Sequence, residues 1–276
     1  MNNEKTMREK AEQMAKNAEM KIQKAQTKEA KYQQWLENKK QNDPNFRDYD
    51  ENPLIIKSYE KFFVLTLNFS SFYLGFAFFC LITNLMNKNL YADGFKFLSI
   101  FAIAYIAIVC IFQKFKYKDH KIKFTNRYIE FYDDGKLKKQ CEIIYDELAR
   151  PFFASWMGYW KYRIMDLISV CLVIYFSFFD LKFIVFVISF YLSNFLIKLF
   201  FYFFVNFSLK GFKIYPFIRI TGKSYTNRDG YGGGFVLSAR YYLIYLHNDK
   251  AYKEVKQYFL QKNINIDYLP KKYNVL

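Results

Sequence analysis

Two histidines, four cysteines and a few charges inside apolar stretches are the residues of this 276-residue chain that could do chemistry. His120 sits in a Lys-rich run and His247 follows an apolar one. Neither stands in an HExxH arrangement or beside a cysteine at ligand spacing, and a zinc site needs three or four converging ligands. No metal and no other cofactor is expected. Cys80, Cys110 and Cys171 lie in long apolar segments, where a thiol serves as a small apolar group, and Cys141 stands alone without a CxxC partner. Gly222-Lys223-Ser224 has the tail of a phosphate-binding loop, but position 217, where that motif needs glycine, is Phe. The run Gly230-Tyr231-Gly232-Gly233-Gly234 could turn bare backbone N–H groups toward an anion, yet it reads first as a strand-connecting loop. No GxSxG elbow and no nucleophile–base–acid constellation is recognisable. The expectation is a protein without catalytic residues.

Asp166 and Lys198 are the charges in unusual surroundings, since both sit in apolar segments. If the chain turns near Leu181 they lie 15 and 17 residues from the apex, so at about 1.5 Å per residue they reach nearly one depth. Charges in a bilayer are costly and usually pair or reach for the interface. The two are therefore expected to pair. Independent snorkelling is the rival arrangement, and Arg163 is a second partner for Asp166 at i+3.

Those charges must be positioned by helices. Phe62 to Met86 runs 25 residues without a charge, and Phe95 to Phe112 carries only Lys96. Ile164 to Phe179 is a shorter segment holding Asp166, and Phe183 to Phe207 is a long one holding Lys198. A crossing takes roughly 17–25 apolar residues, so the spacing predicts four transmembrane helices as two hairpins, 53–112 and 164–207, with a re-entrant second hairpin as the alternative. The mean hydropathy of −0.13 hides this because the remainder is so polar. No signal peptide is read in the charged first 60 residues. Residues 1–61, 113–163 and 208–276 hold 37 of the 41 Lys and Arg. That bias predicts a multi-pass protein of the cytoplasmic (inner) membrane with both termini in the cytosol. Trp156, Tyr159, Trp160 and Tyr162 would form an aromatic belt before the third segment.

The polar parts carry their own patterns. Met7, Ala11, Met14, Ala18, Ile22, Ala25, Tyr32 and Leu36 follow helical spacing, which predicts an amphipathic helix over 1–40 suited to a weak coiled coil or to docking. Residues 41–52 read as a linker, and Asn52-Pro53 as a cap and first turn of a helix continuing into the membrane. Alternation on both sides of Asp134-Gly135 predicts three short antiparallel strands over 121–146, within a cytosolic segment 113–163. Phe212 to Thr221 and Phe235 to His247 read as further strands in segment 208–276. Asn248 or Asp249 caps a closing helix with Ala251, Val255, Tyr258 and Phe259 on its apolar face. The two segments together would make one small split α+β domain.

The order of two membrane helices, FTNRYIEFYDDGKL, IIYDEL, a YYLIYL strand and a terminal helix resembles bacterial membrane proteins with a pleckstrin-homology-like domain below a helical hairpin. The likeness covers residues 62–148 and 235–262, and the inserted second hairpin departs from it. It implies a PH-like antiparallel binding module at the membrane face, with no catalytic residues to carry over. A basic surface would face lipid: Lys114, Lys116, Lys118, Lys121 and Lys123, with Lys161, Arg163, Lys210 and Lys213. Each such residue is worth about 1 kcal/mol against anionic headgroups. Nucleic acid is not the expected partner, because the charge clusters at membrane boundaries. The expected function is a non-enzymatic scaffold or regulator that contacts anionic lipid, or a protein partner through residues 4–40 or the cytosolic domain. The alternatives are a small transporter or channel subunit and a membrane-bound enzyme of unknown class.

Overall fold

A strand forms where the sequence reading places a helix. In the computed structural model, which describes residues 2–44, 46–86, 92–153, 171, 182–220 and 242–272, Leu54–Lys57 is strand β1. Leu54 and Ile56 are buried and Ile55 is exposed, the period of a half-buried strand. Pro53 therefore opens a strand, and the helix begins only at Glu60, after Ser58. The apolar pair Leu54/Ile56 gains more by packing opposite Phe124 and Ile122 than by entering a helix already rich in apolar residues.

The chain divides into residues 1–52 and 53–276. In the first unit, α1 (Asn2–Asn42) is followed by a turn segment that folds back on its end. Lys40 bridges Asp48 at 2.6 Å and Glu51 at 2.9 Å, and Trp35 meets Phe46 edge-on. The stripe residues Met14 and Ile22 are exposed.

In the second unit, α2 (Glu60–Met86) and α3 (Ala92–Phe115) form a hairpin inserted between β1 and β2 (Lys121–Phe124). β3 (Tyr128–Asp133) and β4 (Lys136–Glu142) complete a sheet of order β1-β2-β3-β4, antiparallel throughout. The β3–β4 turn is made by Asp134 and Gly135, both at positive φ, 48° and 78°. That geometry matches the right-handed twist of a two-residue hairpin. The third strand stops at Glu142, short of Ile143 and Tyr145, because Tyr145–Glu147 turns as a 3-10 helix.

β5 (Leu148–Pro151) starts a second sheet, of order β7-β6-β5-β8. Its partner β6 (Phe217–Ile220) comes after helix α4 (Lys182–Asn206), so a second apolar helix is inserted between paired strands. β7 (Leu243–Tyr245) pairs antiparallel with β6, and β8 (Lys271–Lys272) runs parallel to β5. The strand anticipated over 212–221 is confined to β6. Residues before it run back along α4, held where Tyr202 donates to the Lys210 carbonyl at 2.7 Å. Of the strand anticipated over 235–247, only Leu243–Tyr245 lies among the described strand residues.

The closing helix α5 (Asp249–Leu260) is capped by Asn248, whose side chain accepts from the Ala251 N–H at 2.7 Å. Ala251, Val255, Tyr258 and Phe259 are its buried face. It covers the first sheet: Tyr258 meets the Phe124 ring at 4.9 Å and donates to the Thr125 carbonyl at 2.8 Å.

α2 is the middle helix. Against α4 it packs through Gly75, where a Cβ would lie 3.0 Å from the Phe190 Cα. Such small-residue contacts let helix backbones approach closely. Two helices, Lys96–Phe115 and Ile184–Asn206, are long and apolar enough to cross a membrane, and Ser70–Thr83 in α2 is a shorter apolar stretch. Four such helices are not found among the described residues; the third segment, Ile164 to Phe179, lies outside them save for Cys171.

Candidate functional site

The foot of the helices is joined to the second sheet by an aromatic core. Phe62, Phe63, Phe201, Phe217 and Tyr245 are buried together, with Phe62 stacked on Phe201 at 3.9 Å between centroids. Aromatic pairs in such a core, like Phe63 edge-on to Phe217 at 4.8 Å, add about 0.5–1.5 kcal/mol beyond burial. Glu60, at the first position of α2, is buried beside this core. Its Oε1 accepts from the N–H groups of Tyr242 (2.9 Å) and Leu243 (3.3 Å), so one carboxylate ties the start of α2 to β7.

Lys198 is fully buried, and its Nζ donates to the Phe152 carbonyl at 2.9 Å and the Ile214 carbonyl at 3.3 Å. The ammonium also lies 3.4 Å from the Phe152 ring centroid. Phe152 follows β5 and Ile214 precedes β6, so this lysine satisfies irregular backbone on both sides of the insert that contains it. Asp166, Lys161, Arg163 and the four-aromatic belt lie outside the described residues, as do Gly222-Lys223-Ser224 and the 230–234 run.

The basic surface falls into three places. Lys114, Lys116 and Lys118 are exposed at the end of α3; Lys116 and Lys61 both approach the Tyr117 ring, at 6.0 and 5.7 Å. Lys121 and Lys123 stand on the outer face of the first sheet with Ile55 and Tyr132. There they line an open groove of about 670 Å³ that also includes Pro53 and Asp134. Lys123 is 3.8 Å from Glu130, which also accepts from the Tyr132 hydroxyl at 2.9 Å. Burial first, then Glu130, pushes the Tyr132 phenol above its usual value. Lys210 is exposed after α4, and Lys213 lies 3.9 Å over the Tyr252 ring.

A charged cluster that sequence reasoning missed sits at the β5–β8 edge. Asp267 accepts from Tyr252 (2.5 Å), pairs with Lys256 (2.6 Å) and lies 3.5 Å from Arg150, which also donates to the Tyr215 carbonyl. Burial alone would raise the Asp267 carboxyl, but the Lys256 and Tyr252 hydrogen bonds and the Lys256 and Arg150 charges hold it below the usual range. Its signal in the sequence was only Tyr252 and Lys256 at i, i+4 on the closing helix. Arg150 lies more than a hundred residues from the other three, a separation that no local pattern links.

Both histidines are structural in placement. His120 is buried with its Nδ1 3.2 Å from Asp133, away from the exposed lysines around it. His247 packs against the Tyr59 ring at 5.3 Å, and burial pulls its imidazole below the usual value. Burial raises the Cys141 thiol to about 11, which removes it as a nucleophile near neutral pH. No grouping of three metal-ligating side chains occurs among the described residues. Comparison with protein-family models, with curated proteins and with solved structures finds no match.

Proposed function

We propose that this chain is a multi-pass protein of the cytoplasmic membrane that acts without catalysis. It presents a PH-like α+β module to the cytosol as a scaffold or regulator for anionic lipid or a protein partner. One observation carries the reading: apolar helices are inserted between paired strands of both sheets, β1–β2 and β5–β6. A module built this way is held against the membrane rather than tethered to it. Two four-stranded sheets, with a capped helix that follows β7 and covers the first sheet, support the PH-like part. The exposed lysines at the ends of α3 and α4 support lipid contact and cytosolic termini. Deletion of 1–40 should remove protein partners that co-purify from detergent-solubilised membranes, as scored by mass spectrometry. Equal binding of the purified chain to anionic and zwitterionic vesicles, together with no partner lost on deletion, would sink the reading.

A transporter is the second reading, favoured by a polar layer between α2 and α4. Thr66, Ser70 and Ser71 of α2 and Ser189, Ser193 and Asn194 of α4 are all buried, and Asn194 donates to Ser71 across the two helices at 3.3 Å. Solute flux into vesicles that vanishes on Asn194→Leu would establish it in place of the scaffold.

A further inference from the structure

A band of exposed apolar side chains winds along the whole length of α4. Ile184, Ile188, Leu192, Leu196, Phe200 and Phe204 recur every four residues and are all exposed, from 36% at Leu196 to 57% at Ile188, and Phe207 at the end is 80% exposed. The buried side of the same helix changes partner halfway. Near Ser189 to Asn194 it faces α2, through Phe190 on Gly75 and Asn194 on Ser71. From Lys198 onward it faces the second sheet and its loops. Phe201 packs with Phe217 and Tyr245, Tyr202 bonds the Lys210 carbonyl, and Asn206 donates to the His247 carbonyl at 2.7 Å.

α3 shows the same division at its foot. Ile106 and Val109 are buried in the aromatic core, while Ile108, Ile111, Phe112 and Phe115 are exposed on the other side. Lys114 stands in that last turn, and Lys116 and Lys118 follow at once.

We infer that the bilayer covers the feet of α3 and α4 as well as their upper turns, so that acyl chains contact Phe112, Phe115, Phe200, Phe204 and Phe207, and the α/β module is seated within the inner leaflet. The length of the band argues for lipid over another occupant. From Ile184 to Phe207 it runs about 34 Å at about 1.5 Å per residue, close to the roughly 30 Å of a hydrocarbon core. If the bilayer ended above Lys198, these five phenylalanines would stand in water at the level of the module. The lysines past Phe115 and at Lys210 and Lys213 then mark the headgroup layer. The aromatic core then lies at lipid depth, while the β5–β8 edge with its exposed Lys271 and Lys272 and the outer face of the first sheet are left to headgroups and soluble partners.

The inference rests on the membrane reading, and the test separates the two. Single tryptophans are added by Ile188→Trp, Phe204→Trp or Phe207→Trp, and the chain is reconstituted in vesicles with or without lipid brominated along the acyl chain. The emission gained over the unmodified chain is then measured. The expected result is blue-shifted emission for all three, lost to brominated lipid and resistant to aqueous acrylamide. If Ile188→Trp is quenched by brominated lipid while Phe204→Trp and Phe207→Trp are quenched by acrylamide, the feet are in water and the inference fails with the membrane reading intact. If those two are quenched by neither, protein covers the band, a second copy for example, and the inference again fails. If all three tryptophans escape brominated lipid and are quenched by acrylamide, the membrane reading itself falls.

Discussion

The Lys198 ammonium donates to the Phe152 carbonyl at 2.9 Å and sits 3.4 Å from the centre of the same residue's ring. One side chain thus satisfies a backbone oxygen and occupies an aromatic face at the point where β5 gives way to the inserted segment. Irregular backbone beside apolar helices is tolerated only where its polar groups find partners inside the protein.

Removal of that ammonium should orphan the Phe152 and Ile214 carbonyls. Lys198→Met keeps much of the side-chain volume, so the loss should be the cost of unsatisfied acceptors, about 1–3 kcal/mol. A lower Tm in detergent, with the chain still inserted, is the expected outcome. An unchanged Tm would mean that the two carbonyls find other partners.

Glu60→Ala should free the Tyr242 and Leu243 N–H groups. Hydrogen exchange at these two amides should rise selectively, while exchange in β2 and β3 stays as before. The stability cost should be about 1–3 kcal/mol for buried donors left without an acceptor. Uniformly faster exchange would instead indicate that the substitution unfolds the whole module.

Gly75→Leu should separate α2 from α4. Its Cβ would already lie 3.0 Å from a backbone atom, the Phe190 Cα, which cannot rotate away as a side chain can. Overpacking of this kind costs about 1–3 kcal/mol. A Tm equal to that of the unmodified chain would show that the helices shift apart freely.

Acid should act through Asp267. Its folded pKa lies below the ordinary 3.8, so the stability it contributes is fully present above that value and is lost as pH falls through the lower folded value. Tm should therefore hold toward pH 4 and drop below it, and Asp267→Asn should show a smaller drop. Identical acid limbs for the two proteins would assign the loss to other carboxylates.

His247 should act at higher pH. Burial, against a backbone hydrogen bond to Tyr245 and with the Lys57 charge, sets its folded pKa below 6.5. The unfolded chain then takes the proton first, so stability declines as pH falls through 6.5 and levels off below the folded value. His247→Phe should flatten the Tm profile in this window.

Periodicity alone determined the local elements. The long apolar runs became α2, α3 and α4 within a few residues of their sequence limits, because helices of this length are specified by uninterrupted apolar sequence. Asp134-Gly135 placed the hairpin, since few other pairs adopt positive φ twice. Asn248 and the four apolar residues after it set the closing helix, which depends only on a cap and a 3.6-residue period. Tertiary structure decided what those elements hold. Leu54 to Ile56 became a strand only because Phe124 and Ile122 stood opposite, a contact that reaches across both inserted helices. Glu60 found its donors nearly two hundred residues away, Lys198 found carbonyls on both sides of its insert, and Asp267 gathered Arg150, Tyr252 and Lys256. Buried charges take their partners from whatever backbone and side chains the fold brings near, and sequence spacing carries no record of that proximity.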